Sequence, residues 1–391
     1  MRLFLTILSF AGIYLAYGQN WNQLTNFPAT SRDDGCSFTI NNVAYCGTGR
    51  DEGFQVTNDF YAFDVTTEQW SAVASLPDSA KRQYAAATEY ASTGLLFGGI
   101  NNQGNFLNDL WVYSPTINLW SKITIPCPFE GRSGAHIFVI NDILYVVGGR
   151  TAVSDATNEV WAFDFNLSQW SQKNDMPGEG VWRGFGLQYN DVGIVGMGSD
   201  STNSKRGEIY FYDPSIDFWI EMTQIETDPM NYPAVSLIND RLFVYGGEDT
   251  LGDYSNDFRY LDLTNLTWNA LNSFPQDARR GAMAFGSSSD FYISTGLTTL
   301  QRLDETWVAR DVVSVQEQEL VEDLTIYVID GVMILPDNLE KCSLFDNMGK
   351  LIPLTTDAPG AFRLPKGLSA GIYFCQGVKD GRMYQGKLLI Q

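Results

Sequence analysis

Residues 141–170 read NDILYVVGGRTAVSDATNEVWAFDFNLSQW and contain the unit that repeats along this chain of 391 residues. An apolar run that ends in the pair Gly148-Gly149, an alternating run around Trp161 and a short run at Trp170 predict three β-strands. The run RSGAHIFVI immediately before them predicts a fourth strand, joined through a polar turn. Each unit is therefore expected to form a four-stranded antiparallel sheet.

The unit recurs with a period of 49 or 50 residues. The tryptophans that mark the last strand of each copy are Trp21, Trp70, Trp120, Trp170, Trp219 and Trp268. The second glycine of a pair lies 21 residues before its tryptophan at Gly99, Gly149, Gly198 and Gly247, and Gly49 keeps this offset. A fixed period in this range is typical of repeat proteins, in which neighbouring units bury each other's apolar faces.

An apolar strand ending in Gly-Gly, followed at fixed spacing by an aromatic residue and a tryptophan, resembles the kelch repeat. The resemblance covers residues 21–313 and implies a β-propeller, in which each copy is one four-stranded blade around a central channel. Propellers of this kind include enzymes, binding proteins and structural modules, so the resemblance indicates the fold and leaves the function open.

The two ends of the repeat array complement each other. Trp21 has no strands before it, whereas the last copy reaches Trp307 and then lacks its final strand. We therefore expect residues 21–24 to supply the outer strand of the last blade, which would remove exposed sheet edges. The sequence predicts an all-β chain with a six-bladed kelch-type β-propeller over residues 19–313, closed by the N-terminal strand.

The composition argues against several functions. The net charge of −21 disfavours nucleic acid and anionic membranes as partners, because both require a basic face. His136 is the only histidine, which disfavours a Ser-His-Asp triad and histidine-based zinc or copper sites. The glycine pairs end strands and are not followed by a helix that could hold phosphate. The sequence thus predicts no catalytic residue, no metal and no cofactor.

The recurring polar feature of the repeats is an arginine ahead of the first strand. These arginines are Arg32, Arg82, Arg132, Arg183 and Arg280. The kelch resemblance implies that this end of the strand faces the channel mouth, so the guanidinium groups would form a ring suited to carboxylates or sulfates. Alternatively, the arginines bond the loops between blades, with Asp33, Asp34 or Glu130 as candidate partners.

These features favour a binding module over an enzyme. The expected ligand is a protein or a glycan, either neutral or anionic, held at the channel mouth by the arginines and by the variable loops that follow the glycine pairs. An alternative is an epimerase that resembles sialic acid mutarotase and uses the same arginines.

The N-terminus predicts export. A positive start, an apolar run and the small residues Ala16 and Gly18 are typical of a signal peptide over residues 1–18, cleaved before Gln19. No later segment is expected to span a membrane. The mature protein is therefore expected to be secreted or attached to the cell surface.

The sequence beyond residue 313 loses the repeat. Residues 314–323 are acidic and predict a linker, and residues 324–391 contain short alternating runs that predict a small C-terminal β-sandwich. The segments LFDNMGK (344–350), LSAGIYF (368–374) and KLLIQ (387–391) resemble the sorting domain of type IX secretion cargo in Bacteroidetes. That resemblance implies recognition by the outer-membrane secretion machinery; an ordinary adhesive β-sandwich is the alternative. Cys342 and Cys375 either form a disulfide or remain buried thiols.

Overall fold

The computed structural model describes two ranges of the repeat region, residues 21–222 and 228–313. Of the C-terminal region it describes residues 322–323, 327–329, 332–334, 341–345, 351–358, 361–368, 371–379 and 382–390. The chain divides into two compact units, residues 1–314 and 315–391. The predicted signal peptide, residues 1–18, and most of the predicted linker lie outside the described residues.

The described part of the first unit contains six four-stranded antiparallel sheets, and the prediction of an all-β chain is confirmed. Sheet 1 comprises Cys36–Ile40, Val43–Gly47, Phe60–Asp64 and Gln69–Val73. Sheet 2 comprises Ala86–Tyr90, Thr93–Phe97, Leu110–Ser114 and Leu119–Lys122. Sheet 3 comprises His136–Ile140, Ile143–Val147, Val160–Asp164 and Gln169–Lys173.

The remaining sheets follow the same order of strands. Sheet 4 comprises Phe185–Tyr189, Val192–Ser199, Lys205–Asp213 and Phe218–Glu221. Sheet 5 comprises Ala234–Ile238, Arg241–Tyr245, Phe258–Asp262 and Thr267–Ala270. Sheet 6 comprises Met283–Gly286, Phe291–Ser294, Thr306–Ala309 and, from the other end of the unit, Trp21–Gln23. Two minor elements are the strand pair Arg32–Asp33 and Arg50–Asp51 and a 3₁₀ turn at Asp78–Ala80.

The N-terminal strand completes sheet 6, as the sequence predicts. Trp21 pairs with Ala309 and Gln23 pairs with Trp307, in antiparallel register. The Trp21 ring also packs at 5.1 Å from Phe258 and 5.0 Å from Phe274, between centroids. These contacts fasten residues at the start of the unit to strands more than 200 positions later, so the first and last repeats are joined without a covalent bond.

Six backbone hydrogen bonds connect the sheets in a closed circle. The first strand of each sheet is its innermost strand. The residue two positions before it donates its backbone N–H to the carbonyl of the equivalent residue in the preceding sheet, and the residue of sheet 1 donates to that of sheet 6. The members, here called the closure ring, are Asp34, Tyr84, Gly134, Arg183, Tyr232 and Gly281, with N···O distances from 2.8 to 3.2 Å. The circle fixes the order of the sheets and places all six residues at one end of them.

All six members of the closure ring have left-handed backbone conformations, with φ between 54° and 63°. Glycine adopts this conformation without strain, but four members carry side chains, which is uncommon. At Gly281 a Cβ atom would lie 2.6 Å from Asp34 Oδ1, so a side chain has no room there. The side chains of the other four members line a cavity, and non-glycine residues in this conformation are frequent at functional sites.

A second device joins neighbouring sheets through buried arginines. The Arg82 backbone bonds to Thr57 and Gly49 of sheet 1. Its guanidinium group donates to the Gly98 carbonyl and to both carboxylate oxygens of Asp109 in sheet 2, at 2.6 and 3.0 Å. Equivalent ion pairs are Arg32 with Asp59, Arg132 with Glu159 and Arg279 with Glu305. Each of these clamp arginines therefore holds two sheets together.

This arrangement corrects the expected ring of five guanidinium groups at the channel mouth. Arg32, Arg82 and Arg132 are at most 1% exposed and are paired within the sheets. The fourth clamp arginine is Arg279, not the predicted Arg280. The offset from the second glycine of each pair explains the error: Arg32, Arg82, Arg132 and Arg279 lie 17 residues before it, Arg280 lies 16 before it and Arg183 lies 15 before it.

The described residues of the second unit form two sheets. One comprises Glu322–Asp323, Arg382–Ile390, Gly371–Lys379, Lys341–Phe345 and Leu351–Ile352. The other comprises Tyr327–Ile329, Val332–Ile334, Ala361–Arg363 and Thr355–Ala358. Met333 and Phe362 of the second sheet share one apolar cluster with Leu344 and Tyr373 of the first. Residues 322 and 323, assigned to the linker from the sequence, pair with the C-terminal strand.

Parts of the sequence features in this unit lie outside the described residues, including positions 346–350 and 369–370 of the sorting-domain segments and the side chain of Cys375. Along the backbone, Cys342 pairs with Gly377 and Cys375 pairs with Leu344. A disulfide between Cys342 and Cys375 stays a prediction. Among the described residues, no helix has the length and apolar character needed to cross a membrane.

The clamp arginines generate a stability prediction. Replacing Arg82 by Ala should lower the free energy of unfolding by about 3 kcal/mol, because the Asp109 carboxylate would lose its buried partner. The neighbouring change Lys81→Ala removes only an exposed ion pair and should cost less than about 0.5 kcal/mol. Equilibrium denaturant unfolding of the full chain measures both. Equal unfolding midpoints for the two variants would contradict the clamp role.

Candidate functional site

The closure ring surrounds the mouth of a cavity on the axis of the first unit. The cavity has a volume of about 280 Å³ and is lined by the start of the innermost strand of every sheet. Asp34, Tyr84, Arg183 and Tyr232 contribute the larger polar side chains at this end, since the two other ring members are glycines. The candidate site is the set of side chains at and next to this ring.

Arg183 is held in place by aromatic rings. Its guanidinium carbon lies 3.5 Å from the centroid of the Trp182 ring, 4.4 Å from that of Tyr232 and 4.8 Å from that of Tyr84. Its Nη2 donates to the Tyr84 hydroxyl at 3.3 Å. Within the described part of the chain, no carboxylate lies within ion-pair distance of this group. Arg183 is thus an oriented cation that is available to an anionic ligand.

Tyr84 and Tyr232 meet across the mouth. They come from sheets 2 and 5, which lie opposite each other in the circle, and their hydroxyl oxygens are 3.4 Å apart. Burial raises the pKa of Tyr84 well above its usual value and raises the pKa of Tyr232 to about 12. Both hydroxyls therefore carry their protons at neutral pH and can donate hydrogen bonds.

Asp34 is a buried carboxyl group at the same level. Burial and the neighbouring Asp33 raise the pKa of Asp34 to about 7, against the opposing effects of Arg280, Tyr84 and Arg183. The nearest cation is Arg280, whose Nη1 lies 3.9 Å from Asp34 Oδ1. Asp34 can therefore gain or lose a proton near neutral pH, which would change the charge of the mouth.

A chain of charged and polar groups continues from Arg280 toward sheets 5 and 4. Arg280 Nε donates to the Tyr254 hydroxyl at 3.0 Å and lies 3.4 Å from Glu248 Oε2. The other carboxylate oxygen of Glu248 accepts Lys205 at 2.9 Å. Arg280 also covers the Tyr232 ring, at 4.1 Å from its centroid. This network fixes Arg280 beside the mouth and leaves it less available than Arg183.

Several buried polar atoms around the ring have no hydrogen-bond partner among the described residues. They are Asp33 Oδ2, Asp34 Oδ1, Gln83 Oε1, Trp182 Nε1, Arg183 Nε, Asn231 Oδ1 and Arg280 Nη1. All belong to closure-ring residues or to the residue immediately before one in sequence. Buried polar groups are normally paired, so this concentration indicates a place where a polar ligand or water completes the bonding. Donors and acceptors are mixed, which suits a ligand with hydroxyl groups as well as an acidic group.

The structure thus separates the five predicted arginines. It brings Arg183 to the cavity and Arg280 to its edge, and it places Arg32, Arg82 and Arg132 in the clamps. Ligand binding by these arginines stays a prediction. Tyr84 and Tyr232 were not predicted as site residues from the sequence. Their positions could have been found by counting, because every closure-ring member lies 15 residues before the second residue of the glycine-pair position.

No group of three or more His, Cys, Asp or Glu side chains in the described ranges is arranged to hold a metal ion. The chemistry offered by the mouth is therefore recognition through guanidinium, carboxyl and phenol groups, together with one carboxyl that titrates near neutral pH.

Comparison with known families links the first unit to kelch repeats. The family described as "KLHDC2/KLHL20/DRC7 Kelch-repeats domain" matches residues 18–182, and the "Kelch motif" family matches residues 229–275.

Similar proteins differ widely in their described roles. Kelch-like protein 35 of Mus musculus is 26% identical over 249 residues, covering 63% of this chain and 40% of that protein. Beta-scruin of Limulus polyphemus is 24% identical over 221 residues, covering 53% of this chain and 23% of that protein. N-acetylneuraminate epimerase of Yersinia pestis is 22% identical over 314 residues, covering 64% of this chain and 79% of that enzyme. The chain thus spans less than half of the first two relatives.

A solved structure, "Structure of YjhT", has a TM-score of 0.60 and 19% sequence identity, and the match covers 73% of this chain and 96% of that one. At this identity the likeness concerns the fold alone.

The raised pKa of Asp34 predicts a pH-dependent stability. Between pH about 4 and about 7 the carboxyl is protonated in the folded chain and ionised in the unfolded chain, so its stabilising contribution falls as the pH rises. The difference in unfolding free energy between wild type and Asp34→Asn should change by up to about 1.4 kcal/mol per pH unit in this window. The control is the exposed Thr67→Ala, which changes no titratable group and should give a pH-independent difference. A pH-independent difference for Asp34→Asn would contradict the assignment.

Proposed function

The first unit of the chain is a kelch-repeat β-propeller, and on that premise we propose that it is a six-bladed binding module whose ligand lies at the channel mouth. The proposed ligand carries an acidic group and several hydroxyl groups, as an acidic glycan does. The contacts proposed for it come from Arg183, Arg280, Asp34 and the two mouth tyrosines.

Arg183 is the observation that supports this proposal most strongly. A guanidinium group that is held by three aromatic rings and is not in an ion pair loses little freedom when it binds an anion. It also offers two parallel N–H donors to a carboxylate or sulfate. The acidic group of the ligand would supply the partner that the described residues do not.

The unpaired atoms around the ring support a glycan rather than a simple anion. A sugar hydroxyl both donates and accepts, so it can satisfy Asp34 Oδ1 and Arg183 Nε alike, and both residues line the cavity. An acidic peptide would also satisfy Arg183, but it offers fewer hydroxyl groups that can both donate and accept.

Arg183 should therefore control binding. Arg183→Gln should weaken binding to uronate, sialylated or sulfated glycans by roughly 30-fold, equivalent to about 2 kcal/mol for hydrogen bonds to a charged group. A glycan and acidic-peptide array followed by calorimetry on the full chain measures this. The control is Arg310→Gln, because Arg310 pairs with Glu68 and Asp290 away from the mouth. Unchanged binding by Arg183→Gln would contradict the proposal, and capture of acidic peptides alone would replace the glycan.

Epimerase activity is the second candidate. The similarity to N-acetylneuraminate epimerase extends over 79% of that enzyme's length. Asp34, which titrates near neutral pH beside Arg280, could transfer a proton at a sugar ring. Exchange between the anomers of N-acetylneuraminate, followed by NMR, tests this. Acceleration that Asp34→Asn abolishes would favour the enzyme over the binding module.

We further propose that the protein is exported and then secreted or displayed on the cell surface. The signal-peptide pattern of residues 1–18 and the resemblance of residues 324–391 to type IX sorting domains support this proposal. The acidic surface charge is compatible with an extracellular protein.

Removal of the second unit tests the export proposal. Without residues 315–391, a range that includes the short strand at residues 322–323, the protein should accumulate in the periplasm of a type IX-secreting host. The first unit should still fold, since it has its own core. Cell fractionation and circular dichroism measure both outcomes, with full-length Arg183→Gln as the control that is delivered normally. Normal surface delivery of the truncated chain would contradict the sorting role.

A further inference from the structure

We propose that the cavity beneath Tyr84 and Tyr232 is a separate binding compartment for one small uncharged polyhydroxylated molecule, such as a single neutral sugar ring. The two tyrosines form its gate on the mouth side. This inference goes beyond the acidic ligand proposed for the mouth, because the compartment lies along the channel axis below the closure ring.

The dimensions and walls of the compartment suit one sugar ring. Its volume of about 280 Å³ is far larger than the roughly 10–15 Å³ that one water molecule needs. The lining descends from the closure ring to Ser37, Leu187 and Leu237, part-way along the innermost strands. Much of the wall is glycine and alanine, including Gly184 and Ala135, which gives a smooth surface with short side chains. Such a wall can contact the C–H face of a sugar ring.

His136 provides an independent indication of a ligand. It lines the cavity, is 3% exposed and has an Nε2 atom with no hydrogen-bond partner among the described residues. A buried imidazole nitrogen without a partner is costly, and a hydroxyl group of a molecule in the cavity would reduce that cost. Burial also lowers the pKa of His136 to about 4, so the ring is neutral at pH 7 and offers one donor and one acceptor. A hydroxyl group can pair with either nitrogen.

The distribution of charge indicates an uncharged occupant. The charged lining residues, Asp34 and Arg183, both lie at the closure ring. The groups deeper in the described lining, such as Ser37, His136 and Ser236, are neutral. A charged ligand at that depth would lose its hydration without gaining an ionic partner, which is strongly unfavourable.

The tyrosine pair controls entry from the mouth. The ring centroids of Tyr84 and Tyr232 are 6.0 Å apart, and their hydroxyl groups approach each other from opposite sheets. Both residues also line the cavity, so they form its roof on this side. A sugar entering from the mouth has to separate them, whereas it can leave the clamps and sheets unchanged.

The presence of a single histidine allows a direct test. Full-length protein that is labelled with ¹⁵N-histidine and carries no histidine tag gives imidazole signals from His136 alone. Galactose, glucose, N-acetylglucosamine and glycerol are titrated as neutral probes, with glucuronate as the charged counterpart. At least one neutral probe should shift the His136 signals saturably, and glucuronate should not. No shift with any neutral probe, or an equal shift with glucuronate, would overturn the compartment and indicate that it holds water only.

The gate is tested with the same signals. Tyr232→Phe removes one of the two hydroxyl groups and keeps the ring, so the probe that shifts His136 should exchange about 2- to 5-fold faster. The matched control is Tyr90→Phe, because the Tyr90 hydroxyl donates to Asp142 in a neighbouring sheet. Equal exchange rates in Tyr232→Phe and wild type would overturn the gate. These results are independent of the Arg183→Gln measurement, so the mouth site and the compartment can fail separately.

Discussion

The circle of backbone hydrogen bonds through the closure ring determines the geometry of the first unit. Each bond links one sheet to the preceding one, and the bond from Asp34 to Gly281 closes the circle. Every sheet has a residue with a left-handed backbone conformation at this point, and six side-chain positions therefore converge on one opening. Glycine occupies two of them, and the other four supply the carboxyl, phenol and guanidinium groups of the mouth. Closure and the candidate site are therefore consequences of the same backbone feature.

The clamp arginines explain why a positively charged ring does not exist at the mouth. Each buried guanidinium group is compensated by the carboxylate of the residue immediately before the third strand of its own sheet and by a backbone carbonyl. Burying such a charge without its partner would be strongly destabilising, so the carboxylate pairing accounts for these buried arginines without a ligand. In sheet 4 the clamp position is Val181, and Glu208 pairs instead with Arg206, two residues away on the same strand. Arg183, two positions later, is the cation that lies at the ring.

Much of the architecture could be predicted from the sequence, because the repeat records it directly. The tryptophan spacing identified the sheets, and the incomplete last copy identified Trp21 as the closing strand. The distinction between Arg279 and Arg280 could have been made by counting from Gly296, since a shift of one residue reverses the side to which a strand residue points. The contacts of Arg183 with Tyr84 and of Tyr84 with Tyr232 could not be predicted, because they join side chains from sheets that are distant in sequence.

Hydrogen exchange at the closure ring tests whether the circle is one cooperative structure. The amide protons of its six members are followed in the wild type and in Trp21→Ala, which weakens the strand that completes sheet 6. If the sheets are held as a closed circle, protection should fall by a similar factor at all six amides. These include Gly134 and Arg183 of sheets 3 and 4, which lie opposite the junction between sheets 6 and 1. Loss of protection confined to Asp34 and Gly281, with the other four amides unchanged, would contradict a closed circle and favour a row of independent sheets.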